Sequence, residues 1–155
     1  MPTYTSGNGA FTPSTSQDNW CLDPQSAGVF CKVVAIGWGG QLTTSTGYRT
    51  RWTRPTTAGS STFTALTNAD HNLSFSTMGS RVGTFVTAPT LASDPAGNLW
   101  AQSWNAQGGV GMVVMPLANP WWSSYVASGG YGQIACRNVS GTDASGSSYE
   151  VTIEE

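Results

Sequence analysis

Glycine, proline and clusters of β-branched residues recur along this chain too closely to leave room for a long helix. Helix formers are also scarce: Lys32 is the sole lysine, and the only glutamates are Glu150, Glu154 and Glu155. Glycine, proline and β-branched residues disfavour helices because of backbone entropy, a missing N–H or restricted side-chain rotation. What recurs instead is short β-prone runs separated by turn residues, the pattern of a β-sandwich or barrel.

The first run covers residues 19–22 and is closed by Asp23-Pro24. Residues 29–38 form a nearly continuous apolar stretch, read as a central strand buried on both faces and ended by Gly37, Gly39 and Gly40. Residues 48–54 alternate, with Tyr48, Thr50 and Trp52 on one face and Arg49 and Arg51 on the other. Further strands are expected at 63–67, 73–75, 81–87, 99–105, 111–116, 131–138 and 148–154. In the run 99–105, Trp100, Gln102 and Trp104 share a face. Residues 118–127, around Pro120-Trp121-Trp122, are the one place where a helical turn fits. The expectation is an all-β, single-domain, jelly-roll-like β-sandwich of about eight to ten short strands, with no fixed-period repeat. An immunoglobulin-like sandwich fits less well, because no Cys-Trp-Cys pattern has the right spacing. Residues 1–17 are polar and read as an N-terminal arm, frayed or ordered on binding; residues 18–155 read as the sandwich domain.

Only 9% of the 155 residues are charged, while 19 Ser, 20 Thr and 19 Gly supply hydroxyls and small surfaces in their place. Such a surface repels its neighbours little and is suited to lying flat in a lattice. Seven tryptophans give an ample core, so global disorder is not expected. A net charge of −2 with six basic residues argues against a nucleic-acid partner. No run approaches the length of a membrane-spanning helix. The N-terminal residues have neither the positive nor the apolar region of a secretory signal, so synthesis in a cytoplasm without general secretion is expected. Cys21, Cys31 and Cys136 read as buried, reduced thiols; a Cys21–Cys31 bridge is the alternative.

Catalytic chemistry has little to stand on. His71 is the only histidine and sits in the polar segment 68–72, which reads as an exposed turn. No nucleophile elbow accompanies it. The carboxylates Asp18, Asp23, Asp70, Asp94 and Asp143 all lie beside turn residues. Scattered cysteines and one histidine leave no metal-ligand spacing, and Gly108-Gly109 and Gly129-Gly130 lack the lysine of a phosphate loop. No catalytic residue, metal or cofactor is therefore expected, and the chain is read as a non-enzyme.

Contact residues are sought among the aromatics and arginines. Trp100 and Trp104 read as core and hairpin packing. Trp121 and Trp122 are adjacent and cannot both point inward, so at least one is expected to meet a partner, with Tyr125 beside them. Arg49 and Arg51 would form a small basic ridge, either solvated or paired with an acidic neighbour. Tyr4 and Phe11 are the contact candidates of the N-terminal arm.

The layout from Phe11 onward resembles a loosely defined group of small phage and prophage virion proteins. The likeness lies in a Thr/Ser-rich start leading to Asp18-Asn19-Trp20, the apolar strand at 29–36 and the Arg-bearing strand at 48–54. It continues in the Gly-Gly turn after Trp104-Asn105 and the ending Ile153-Glu154-Glu155; the Trp-rich stretch 120–125 and the cysteines depart from it. The resemblance implies a jelly-roll accessory protein of a virion, made in the host cytoplasm. The expected role is a capsid decoration or cement protein, a homotrimer clamping the major capsid protein or other virion subunits. The alternative is a carbohydrate-binding module or receptor-binding tip using Trp and Tyr stacking.

Overall fold

The computed structural model describes residues 1–11, 18–40, 42–43, 45–56, 60–66, 68–70, 78–87, 98–105, 107–116, 118–126, 132–140 and 147–155. These residues form twelve strands: β1 (Thr3–Phe11), β2 (Trp20–Pro24), β3 (Phe30–Gly40), β4 (Gly47–Thr53), β5 (Ser60–Ala65), β6 (Asn68–Asp70), β7 (Ser80–Thr87), β8 (Asn98–Asn105), β9 (Val110–Val114), β10 (Trp121–Ser124), β11 (Ile134–Ser140) and β12 (Ser147–Glu154). One six-stranded sheet has the order β10-β3-β12-β1-β6, with β9 alongside β3 beyond the end of β10; the other runs β5-β7-β2-β11-β4-β8.

The pairing is nested. β1 pairs β12, β2 pairs β11, β3 pairs β9 and β10, and β4 pairs β8, all antiparallel. Successive pairs fall in opposite sheets, as when one long antiparallel ribbon is rolled up, which is the double-sheet jelly roll. β5, β6 and β7 are inserted between β4 and β8 and widen both sheets. The sandwich expected from the sequence is thus present, with the insertion and the split β9/β10 edge adding strands.

Aromatics fill the space that few aliphatic residues leave. Trp20, Trp52, Trp121, Trp100 and Trp38 follow one another ring to ring at 5.5, 6.0, 6.4 and 5.5 Å. Around this row pack Leu22, Val33, Ile36, Val82, Ile134, Val151 and Ile153, all fully or nearly fully buried. Towards the other end the interior turns polar, with Ser6, Thr50, Gln102, Asn138 and Ser147 buried near Tyr48, Trp104 and Tyr149.

Several expectations change. Residues 3–11 are a strand between β12 and β6, in place of an arm: Tyr4 and Ser6 point inward and are buried. Residues 121–124 are extended and paired with β3, in place of the helical turn that the stretch 118–127 allows. Asn68–Asp70 is strand β6 rather than part of a turn; His71 and the expected strand at 73–75 lie outside the described residues. β3 is buried on its inner face only. Its alternation is broken at Val34, because Thr152 faces Ala35 while the next residue, Ile153, faces Val33. This β-bulge inserts one residue and swaps the faces of everything after it. Ile36 and Trp38 therefore join the core, and Ala35, Gly37 and Gly39 turn outward.

Candidate functional site

The register across the first sheet fixes what its outer face presents. One row holds Trp122, Lys32, Glu154 and Thr3; the next holds Val114, Ala35, Thr152 and Thr5; a third holds Met112, Gly37, Glu150 and Gly7. Val110, Gly39 and Ser148 make a fourth. Small residues line the middle of this face because the Val34 bulge put them there. Between Val110 and Met112 on one side and Ser148, Glu150 and Thr152 on the other lies an open trough of about 500 Å³. At its floor, a methyl added to Gly37 would find nothing nearer than 3.9 Å.

The β9 side of the trough is apolar and bare, and bare apolar side chains continue beyond it along the same face. Val110 is 81% exposed, Met112 72%, Val114 64%, Phe30 57% and Trp122 48%. All five belong to β3, β9 and β10 at one edge of the sheet. Gly40 N–H donates to the Gly109 carbonyl and Met115 N–H to the Val34 carbonyl. Alternation along an antiparallel pair then turns the backbone groups of residues 109, 111, 113 and 115 towards β3. Those of Val110, Met112 and Val114 point away from it, and no described strand pairs with that side.

β10 is held from both sides. Trp121 points inward against Trp52 and Trp100, and the Arg54 guanidinium donates to the Trp122 carbonyl. Lys32 forms an ion pair with Glu154 at 2.6 Å and lies 5.9 Å from the centre of the Trp122 ring. The expectation that the adjacent tryptophans diverge is met, and Trp122 is the one left in solvent. Tyr125 is exposed beyond the end of β10.

The other expected contact residues do not gather here. Trp100 and Trp104 pack inside, as the sequence indicated. Tyr4 is buried in the core and unavailable to a partner; Phe11 pairs with Ser147 in β1. Arg49 and Arg51 face outward on the opposite sheet, Arg51 directly across from Arg137. Val110, Met112, Val114 and Phe30 are not among the contact residues expected from the sequence: Phe30 falls in the stretch 29–38 read as buried on both faces, and 111–116 is expected only as a short apolar strand. A pointer was available: residues 95–136 contain no Asp, Glu, Lys, Arg or His, so β9 and β10 carry none of the charges that usually guard exposed strands.

Among the described residues, the buried titratable groups are held within the fold. Arg137 Nε and Nη2 both donate to Asp18 Oδ1, at 3.1 and 2.7 Å, while the buried Oδ2 has no hydrogen-bond partner among the described residues. Burial outweighs the arginine and lifts the Asp18 carboxyl to about 6. Asp23 receives Arg81 at 2.7 Å and Gln133 at 2.7 Å. Cys21, Cys31 and Cys136 are free and buried, with no bridge between Cys21 and Cys31. Burial raises all three thiols, Cys31 to about 11. Unionised and enclosed, they are poor nucleophiles. Among the described residues no three His, Cys, Asp or Glu side chains cluster as a metal site, and no helix is long and apolar enough to cross a membrane.

Comparison with protein-family models, curated proteins and solved structures finds no match for this chain.

Proposed function

We propose that this chain is a structural accessory protein of a phage-type particle, a decoration or cement protein that binds adjacent subunits of an assembled shell through the outer face of its first sheet. The carrying observation is the group of five large exposed apolar side chains on that face, Phe30, Val110, Met112, Val114 and Trp122, where β9 and β10 themselves hold no charged residue. Soluble monomers rarely keep such a surface unless it meets a partner. The jelly-roll fold and the resemblance to small virion proteins supply the kind of partner: the major capsid protein or a neighbouring virion subunit. The action is thermodynamic. A protein that binds only the assembled shell stabilises it by mass action, and many symmetry-related copies add avidity without a tight single site.

The test uses particles assembled without this protein. Adding it back is expected to show saturable co-sedimentation and to raise the temperature at which the shells release their contents. Phe30→Ser and Trp122→Ala should weaken both effects at least tenfold while leaving the far-ultraviolet spectrum unchanged. Saturation without any gain in heat resistance, or no binding at all, would remove the cement role.

A second reading has one observation in its favour. Phe30, Trp122 and Tyr125 are exposed aromatics at the β10 end of the sheet, and sugars stack on such rings. A glycan array hit abolished by Trp122→Ala would support a carbohydrate-binding module; an array without hits would exclude it.

A further inference from the structure

From β9 we infer that this chain pairs with a second copy of itself, edge strand to edge strand about a twofold axis at Met112, so that the first sheets of two copies become one continuous sheet. The backbone groups of Val110, Met112 and Val114 face away from β3, and their side chains are the most exposed apolar ones on that face. An antiparallel twofold centred on Met112 places Met112 opposite Met112 and Val110 opposite Val114. Each is a hydrogen-bonding position, because the outward groups alternate with those that bind β3. The outward side chains read Val, Met, Val in either direction, so the two edges match in size as well as in register.

Charge permits the pairing. No charged residue lies between Asp94 and Arg137, so two β9 strands meet without like charges. Edge strands of monomers are commonly guarded by lysine, proline or an inward-pointing charge; β9 has none of these. A threefold ring joins two different patches of each subunit, so it cannot pair one strand with its own copy. The geometry therefore favours a twofold pair over the trimer expected from the sequence. The three side chains offer at most roughly 400 Å² per copy, about half of the ~800 Å² that each partner of a stable free dimer buries. The pair is accordingly weak in dilute solution and forms when copies are concentrated. This inference does not rest on the virion reading: loss of shell binding leaves it standing, and its own failure leaves shell binding untouched.

Sedimentation velocity of the full chain from about 10 µM to about 1 mM tests it. A monomer–dimer equilibrium is expected, with the dissociation constant raised at least tenfold by Met112→Lys, a change at an exposed position that a spectrum checks for folding. A second measurement traps the pair. Facing residues at a hydrogen-bonded antiparallel position have Cα atoms about 5.5 Å apart, within disulfide range. Under oxidised glutathione, Met112→Cys should cross-link to a dimer at least tenfold faster than Ser103→Cys, an exposed control on β8. Should sedimentation show monomer alone, this rate decides: faster upholds the pairing, equal overturns it. A trimer, or a dimer that Met112→Lys leaves unchanged, also overturns it.

Discussion

Asp18 stands just before β2 with its side chain out of solvent, bound through one oxygen to Arg137. Its carboxyl titrates near 6 in the folded protein against an ordinary 3.8, so the native state holds the proton more tightly than the unfolded chain. The stability this confers is full below pH 4 and is lost as pH rises through 6, an effect on the order of 2–3 kcal/mol. Asp18→Asn keeps the oxygen that faces Arg137 and removes the ionisation. The melting temperature of the variant relative to the parent should therefore be higher at pH 7.5 than at pH 4; an equal difference at both would show that Asp18 does not titrate in this way. In the sequence, Asp18 and Asp23 are simply carboxylates beside turn residues. Their burial could not be read locally, because the arginines that hold them lie 119 and 58 residues away.

β9 and β3 meet so closely that one glycine decides their fit. A methyl on Gly111 would lie 2.2 Å from the Trp38 ring, whereas one on Gly37 meets nothing within 3.9 Å. Trp38 cannot easily turn aside, since it packs on Trp100 at 5.5 Å. Gly111→Ala is therefore expected to cost about 1–3 kcal/mol by overpacking, and hydrogen exchange should quicken along residues 110–114. Gly37→Ala should change stability by less than about 0.5 kcal/mol. Equal costs for the two would mean that β9 does not lie over Trp38. Strands with strict alternation were legible: Tyr48, Thr50 and Trp52 against Arg49 and Arg51, and Trp100, Gln102 and Trp104 sharing a face. β3 was legible as a strand but not in its facing, because the bulge at Val34 reverses the alternation without any sign in composition. β9 was legible as a short apolar strand but not as a bare edge, because a run of valine and methionine reads the same on an edge as inside.

At the scale of the molecule, the nested pairing makes the two ends of the chain one structural unit. β1 lies against β12 over most of its length, from Thr3 opposite Glu154 to Asn8 opposite Tyr149, with a last pair at Phe11 and Ser147. It is also the strand on which β6 pairs. The sequence hid this, because β1 buries only Tyr4 and Ser6 among its side chains described and the rest of the segment is polar. Such strands owe their place to partners about 140 residues away, and local pattern carries no trace of them. The arm and the strand make opposite predictions for a chain lacking residues 2–11. Removing an arm would leave unfolding cooperative and within a few degrees of the full chain. Removing β1 deletes Tyr4 from the core, a loss comparable to the ~3–5 kcal/mol of a large aromatic truncation. It also strips the hydrogen bonds of β12 on that side and leaves β6 without its paired strand. Against a total stability of about 5–15 kcal/mol, the shortened chain should lose its cooperative thermal transition and bind a hydrophobic dye. A synthetic peptide of residues 1–11 added in trans should restore part of the transition, because the gap it fills is a strand position between β12 and β6. A cooperative transition in the shortened chain, close to that of the parent, would remove β1 from the sheet and with it the outermost pair of the jelly roll.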